Sequence, residues 1–89
     1  MSDQEQYQLF KSETCGFCHR VRSFLRHLEL EMPLRDIYND AGAYSELLSG
    51  GGKGMVPCLR IARGEEVIWM YESMDIMRYL AEKYGNQAQ

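Results

Sequence analysis

The sequence predicts an α/β fold in which one four-stranded mixed sheet is flanked by three helices. Its 89 residues are enough to build one hydrophobic core and too few for two. Short apolar runs, typical of strands, alternate with longer segments in which apolar residues recur every three to four positions, the period of a helix. Together these patterns predict the element order β-α-β-α-β-β-α.

The first half of the chain alternates strand, helix and strand. The apolar run from Tyr7 to Phe10 predicts the first strand, and Pro33 to Ile37 predicts the second. Between them a helix is expected from Cys18 onward, because apolar residues then fall on one helical face. That face consists of Val21, Phe24, Leu25 and Leu28. The solvent side of the same helix carries Arg20, Arg22 and Arg26.

A second helix and a hairpin follow. We expect the helix to be capped by Asn39 or Asp40 and to end at the glycines that begin with Gly50. Its apolar residues are Tyr44, Leu47 and Leu48. The apolar runs 56–61 and 67–70 are separated by a short segment that contains Gly64, and this spacing favours an antiparallel hairpin.

The last helix is predicted to begin near Ser73 and to stop at Gly85. Its inward residues are expected to be Ile76, Tyr79, Leu80 and Tyr84. Residues 1–5 and 86–89 are predicted to be short frayed tails, so the folded domain is expected to cover residues 6–85.

Composition excludes several classes of function. A net charge of −3 and a pI near 5.3 argue against nucleic acid as the main partner, since phosphate binding depends on surplus Lys and Arg. No apolar run is long enough to span a membrane, and the polar start of the chain shows no secretory signal. The expectation is a cytoplasmic monomer without a membrane partner.

Two cysteines separated by two residues indicate redox chemistry. Cys15 falls at the predicted start of a helix, where free backbone N–H groups and the helix dipole favour a thiolate, so we assign it as the nucleophile. Cys18 is in register with the apolar face and should point inward as the resolving thiol. A closed zinc site needs four ligands, and Cys58, His19 and His27 do not form a second ligand pair.

The residues around this pair resemble the glutaredoxins, a family with the thioredoxin-like fold. The run from Lys11 to Arg20 is similar to the glutaredoxin active-site loop, and Met55-Val56-Pro57 is similar to the Thr-Val-Pro segment of that family. The run from Glu72 to Ile76 is similar to the start of its glutathione-anchoring helix. The resemblance covers nearly the whole chain and implies that glutathione is the cosubstrate.

The resemblance also implies roles for individual residues. Pro57 would follow a cis peptide bond that lets the backbone of Val56 pair with a bound glutathionyl group. Ser73 would bind the γ-glutamyl carboxylate and Glu72 the γ-glutamyl amine, while Phe17 would lie along the glutathione. Without the resemblance, Pro57 is equally an edge-strand or turn proline, and Ser73 is an ordinary helix-capping residue.

The chain departs from the glutaredoxin pattern in two places. The lysine expected three residues before the nucleophile, which binds the glycyl carboxylate of glutathione, is Ser12, so that role passes to Lys11 or Lys53. The segment that begins with Glu72 is more similar to the N-terminal domains of glutathione transferases and two-domain glutaredoxins. Those proteins carry a further helical domain, so glutathione conjugation is not expected of this chain alone.

The predicted activity is glutathione-dependent reduction of protein–glutathione mixed disulfides and of protein disulfides. One alternative comes from Gly16 and Phe17, which match the loop of monothiol glutaredoxins. A dimer with two Cys15 thiolates and two glutathiones could hold a [2Fe–2S] cluster, which needs four thiolates. A second alternative is a redox-sensing interaction module. Cys58 is expected to be a core residue, with regulatory oxidation as the other reading.

Overall fold

The computed structural model describes residues 5–85 and has seven elements in the predicted order. They are β1 (Gln6–Lys11), α1 (Gly16–Leu28), β2 (Leu34–Asp36), α2 (Ala43–Gly51), β3 (Cys58–Arg63), β4 (Glu66–Tyr71) and α3 (Ser73–Tyr84). The thioredoxin-like α/β fold predicted from the sequence is therefore confirmed. Of the predicted tails, residues 1–4 and 86–89 lie outside the described residues.

The four strands form one sheet in the order β2-β1-β3-β4. The pair β1 and β2 is parallel, with Leu9 opposite Leu34, and the other two pairs are antiparallel. Leu9 also lies opposite Leu59 of β3. Because β1 and β2 run the same way, both end at one edge of the sheet, and the segment that carries the cysteine pair leaves from that edge.

The helices cover the two faces of the sheet unequally. Helices α1 and α3 share one face and enclose the larger core cluster. Its buried members are Tyr7, Leu9, Val21, Leu25, Leu28, Leu59, Ile61, Ile76 and Leu80. Helix α2 covers the other face with a smaller cluster of Phe10, Ala43, Leu47 and Cys58. Side chains alternate between the two faces along β1, which explains why Leu9 and Phe10 belong to different clusters.

Two expected boundaries were wrong. Helix α2 is capped by Gly42, at φ +86°, and not by Asn39 or Asp40. The Asp40 carboxylate instead accepts a hydrogen bond from Arg35 Nε at 2.6 Å, so it is not available as a cap. The other end of α2 is as expected, since the helix ends at the glycines, with Gly51 as its last residue and Gly52 as its C-cap. Strand β3 begins two residues later than expected, at Cys58, because Pro57 has no N–H to donate to a ladder.

Within residues 5–85, no helix has both the length and the apolar character needed to cross a membrane.

Candidate active site

The turn between β1 and α1 positions the first cysteine. Ser12 is buried, its hydroxyl lies 3.0 Å from that of Thr14, and it accepts a hydrogen bond from the Thr14 backbone N–H. The carbonyl of Ser12 accepts from the N–H of Cys15 at 3.2 Å. This short hydrogen-bonded turn places Cys15 at the N-cap of α1, as the sequence predicted.

The Cys15 sulfur occupies the place that a serine or aspartate oxygen takes in an ordinary cap. Its Sγ accepts a hydrogen bond from the backbone N–H of Cys18 at 3.2 Å. The first turn of α1 contains no acidic residue, so no carboxylate competes for the helix N-terminus. Free N–H groups and the helix dipole favour negative charge at a helix N-terminus, and the Cys15 sulfur lies at that position.

The second cysteine is buried beneath the first. Cys18 has no solvent exposure and belongs to the face of α1 that packs on the sheet. Burial raises the pKa of its thiol to about 12, and the hydrogen bond to Cys15 adds to the effect. Cys18 is therefore a protonated thiol near neutral pH. It lies next to Cys15 but is shielded from any molecule that approaches from solvent.

The turn before β3 faces the same sulfur. The peptide bond between Val56 and Pro57 is cis, in agreement with the expectation for Pro57. The carbonyl oxygen of Val56 lies 3.8 Å from Cys15 Sγ, and Pro57 is buried. The backbone of this segment is thus close enough to Cys15 to contact a group attached to its sulfur.

A groove of about 180 Å³ runs beside the two segments. It is lined by Phe17, Met55, Val56, Pro57, Tyr71, Glu72 and Ser73. All of these except Met55 and Tyr71 were predicted from the sequence as glutathione contacts, so the fold brings the predicted residues together. Phe17 and Met55 form an apolar rim and are 60% and 56% exposed.

The start of α3 forms one end of the groove. Glu72 is the N-cap residue, with φ +71° and no hydrogen bond from its side chain to the helix. A positive φ is uncommon for a residue with a side chain and carries backbone strain. Ser73, expected to be the cap, is instead the first helical residue and is buried. Its N–H is one of the unpaired donors of the first turn.

Tyr71 anchors the loop that precedes the cis peptide bond. Its hydroxyl donates to the carbonyl of Lys53 at 2.8 Å and accepts from the N–H of Lys53 at 3.3 Å. The Lys53 ammonium lies 5.6 Å from the centre of the Tyr71 ring, and the residue is exposed. Lys53 therefore places a positive charge beside the groove.

Lys11, the other candidate for the glycyl carboxylate, lies outside the groove. Its ammonium is buried and is bound by the carboxylates of Glu13 and Asp36, the latter at 3.2 Å. The hydrogen bond to Glu13 is the largest effect that raises the pKa of Lys11, so the group stays charged although it is buried. Lys11 joins the active-site turn to the end of β2 and does not line the groove.

The last candidate residue is Cys58, the third cysteine of the chain. Cys58 is fully buried in the smaller cluster, and burial raises the pKa of its thiol to about 12. It is a core residue, as expected.

Across residues 5–85, His, Cys, Asp and Glu side chains form no group of three or more that could hold a metal ion.

Comparison with known proteins places this site in a family. Residues 14–83 match the model of the glutathione S-transferase N-terminal domain. The chain belongs to this family. The match includes both cysteines, the cis-proline turn and the start of α3. No curated protein was found to match the sequence.

Solved structures agree with the fold. Maleylacetoacetate isomerase from Anaeromyxobacter dehalogenans 2CP-1, solved with bound GSH, has a TM-score of 0.72 and 20% identity over 93% of this chain. Glutathione transferase Omega 1C from Trametes versicolor has a TM-score of 0.70 and 19% identity, also over 93% of this chain. This chain covers only 39% of each of those proteins.

A shorter protein is similar along nearly its whole length. The thioredoxin-like protein BC3987, solved as a mutant, has a TM-score of 0.66 and 21% identity, and the match covers 84% of this chain and 99% of that one. The comparisons therefore support a thioredoxin-fold domain of the transferase type. The dithiol glutaredoxin type stays a prediction.

Proposed function

We propose that the chain is a glutathione-dependent thiol–disulfide oxidoreductase in which Cys15 is the nucleophile and Cys18 the resolving thiol. The observation that carries the proposal is the position of Cys15 Sγ, 3.2 Å from the N–H of Cys18 and 3.8 Å from the carbonyl oxygen of Val56. The first contact gives the sulfur a hydrogen-bond donor at a helix N-terminus, where negative charge is favoured. The second puts the sulfur at the open groove, where a glutathionyl group can reach it.

Glutathione would lie along the groove with its sulfur toward Cys15. The Val56 backbone would pair with the peptide of glutathione, and the Phe17 ring would pack against it. The γ-glutamyl carboxylate would bind the N–H groups at Ser73, since a helix N-terminus favours an anion. Glu72 is exposed beside it and would accept hydrogen bonds from the γ-glutamyl amine. The isomerase that was solved with bound GSH supports glutathione as the ligand.

We assign the glycyl carboxylate of glutathione to Lys53 in preference to Lys11. Lys53 is exposed and lies against Tyr71, which lines the groove. The Lys11 ammonium is already bound by two carboxylates and is buried. Moving it to a ligand would leave the half-buried Asp36 carboxylate without its cation, which is costly.

The chemistry follows from a thiolate at Cys15. The thiolate attacks the glutathione sulfur of a mixed disulfide, a new bond forms between Cys15 and glutathione, and the substrate leaves as a thiolate that takes a proton from water. The thiolate of a second glutathione then attacks the glutathione sulfur bound to Cys15. Oxidised glutathione leaves and the Cys15 thiolate is restored. The net reaction converts one mixed disulfide and one glutathione into one thiol and one oxidised glutathione.

Cys18 acts when the substrate is a protein disulfide. After Cys15 has joined one substrate sulfur, Cys18 loses its proton and attacks Cys15 Sγ. The bond between Cys15 and the substrate sulfur breaks, this substrate sulfur leaves as the second thiol, and a disulfide forms between Cys15 and Cys18. Two glutathiones reduce that disulfide and leave as oxidised glutathione. The high pKa of Cys18 keeps it from competing as the first nucleophile.

The test compares Cys15→Ser and Cys18→Ser with the wild-type chain. The first substrate is the mixed disulfide of glutathione and 2-mercaptoethanol, and the second is a protein disulfide, with oxidised glutathione as the measured product. We expect Cys15→Ser to abolish both activities and Cys18→Ser to abolish only the second. Cys58→Ala is the matched control. It removes the third thiol, which does not line the groove, and should keep both activities.

Two outcomes would contradict the proposal. Activity that survives in Cys15→Ser would show that another group is the nucleophile. A wild-type chain that forms the Cys15–Cys18 disulfide but does not turn over with glutathione would instead be a redox-sensing module.

A further inference from the structure

The helix that begins at the candidate active site is basic, although the chain as a whole is acidic. Of ten Lys and Arg residues in the sequence, α1 holds three, and of thirteen Asp and Glu residues it holds none. Both histidines of the chain also lie on α1. Positive charge is therefore concentrated on the one helix whose N-terminus carries the nucleophile.

Most of these side chains share one exposed surface. We define the basic α1 face by its five exposed residues, His19, Arg20, Ser23, Arg26 and His27. Their spacing of three and four positions puts them side by side on the helix. Arg22 is turned away from this surface and pairs with Glu13 at 3.3 Å. Within residues 5–85, no carboxylate lies in ion-pair distance of Arg20 or Arg26.

All residues of the basic α1 face except Arg26 line a shallow concavity of about 550 Å³ between α1 and α3. The concavity begins at Gly16, the residue after the nucleophile, and extends to His27 near the end of the helix. Half-buried Phe24 and Met77 give it an apolar floor. The surface thus combines an apolar floor, a cationic border and direct continuity with Cys15.

We propose that this surface docks an acidic segment of the protein substrate whose glutathionylated or disulfide-bonded cysteine reacts at Cys15. The proposal rests on the proposed function. Charge complementarity is the argument for an acidic partner, since exposed arginines without a carboxylate partner steer oppositely charged groups to their surface. Nucleic acid is disfavoured because the chain has a net charge of −3, and because a nucleic acid brings no disulfide to the nucleophile.

The test uses two glutathionylated peptides of equal length and identical sequence around the cysteine. In one, the flanking segment contains Asp and Glu; in the other, Asn and Gln replace them. At low ionic strength we expect kcat/KM to be about five- to tenfold higher for the acidic peptide, and the preference should shrink with salt, which screens exposed charges. Arg20→Glu, at the arginine that lines the concavity, should remove the preference and leave the neutral peptide unaffected.

Arg78→Glu is the matched control. Arg78 is exposed on α3, 4.0 Å from Asp75, and lies outside the basic α1 face, so the same reversal of charge there should keep the acidic preference. Equal rates for the two wild-type peptides would overturn the proposal. So would a preference that survives Arg20→Glu, or an oligonucleotide that inhibits turnover of the acidic peptide more strongly than polyglutamate of equal length does.

Two further measurements separate this proposal from the proposed function. The mixed disulfide of glutathione and 2-mercaptoethanol has no segment to dock, so its turnover tests the chemistry alone. Fluorescence anisotropy of a labelled acidic peptide without cysteine tests docking alone. If Arg20→Glu weakens this binding and Arg78→Glu does not, the docking surface is supported whatever the turnover is. Absence of binding by the wild-type chain overturns it.

Discussion

At the scale of single residues, three identical thiols are made chemically different by their positions. Cys15 is partly exposed and caps a helix, whereas Cys18 and Cys58 have no solvent exposure. Burial raises the pKa of both buried thiols to about 12. The two buried cysteines are therefore held as unreactive thiols, and only Cys15 lies where a substrate can reach it.

This difference predicts selective alkylation. Iodoacetamide added to the reduced, folded chain near neutral pH should modify Cys15 alone, because the other two thiols are buried and protonated. Peptide mass spectrometry after a short reaction measures the site. Cys15→Ser should lower the rate of first adduct formation by at least about tenfold. In urea all three cysteines should react, and equal labelling of Cys18 and Cys15 in the folded chain would contradict the assignment.

At the scale of elements, glycines let α2 approach β4 closely enough to shape the groove. A Cβ atom on Gly51 would lie 2.1 Å from the Tyr71 hydroxyl, and one on Gly50 would lie 2.2 Å from the Trp69 ring. The same Tyr71 hydroxyl binds the backbone of Lys53. The end of α2, the loop before the cis-proline and β4 are thus fixed to one another through a single side chain.

We therefore expect Gly51→Ala to lower both stability and glutathione binding. The new methyl group must displace Tyr71, which breaks its hydrogen bonds to Lys53, and overpacking of this kind costs about 1–3 kcal/mol. Urea unfolding and calorimetric titration with glutathione measure the two effects. Gly85→Ala is the control, since Gly85 has an ordinary helical φ of −60° and open space around it. Unchanged glutathione affinity in Gly51→Ala would show that Tyr71 does not shape the groove.

The elements also show what the sequence could predict. Their order, and the burial of Cys18 in register with Val21 and Leu25, follow from local periodicity, which a single sequence contains. The cap of α2 was wrong because Asp40 pairs with Arg35, a contact that depends on how β2 and α2 meet. Tyr71 was missed for the same reason. Its hydrogen-bond partner in the loop lies 18 residues away, and no local pattern marks it.

At the scale of the whole molecule, a buried carboxylate near the start of the chain joins distant parts of it. The Glu5 side chain is 2% exposed and accepts hydrogen bonds from the hydroxyls of Tyr7 and Tyr79, each at 2.7 Å. Arg63 Nε donates to it at 2.8 Å, and the Lys83 ammonium lies 3.7 Å away. These contacts tie β1 to β3 and to α3. They were not predicted, since Glu5 and Tyr79 are 74 positions apart.

The network predicts a specific loss of stability in acid. Burial alone would raise the pKa of Glu5, but the hydrogen bonds from Tyr7, Tyr79 and Arg63 and the charge of Lys83 outweigh it and lower the pKa from 4.5 to about 2. A carboxylate with a lowered pKa stabilises the fold fully above its unfolded value, and the effect is lost as pH falls through the folded value. The loss should therefore occur between pH 4.5 and 2.

Glu5→Gln isolates this contribution. Near neutral pH the variant should lose about 2 kcal/mol in the free energy of unfolding, because hydrogen bonds to a charged group are replaced by weaker ones and Arg63 keeps only its longer ion pair with Glu66. Urea unfolding followed by the fluorescence of Trp69, the single tryptophan, measures the difference. The difference in the free energy of unfolding between wild type and Glu5→Gln should become smaller as the pH is lowered from 4.5 toward 2. Glu82→Gln, an exposed change on α3, should shift stability by less than about 0.5 kcal/mol at any pH. If this difference in the free energy of unfolding stays constant down to pH 2, the charge of Glu5 does not hold these distant parts of the chain together.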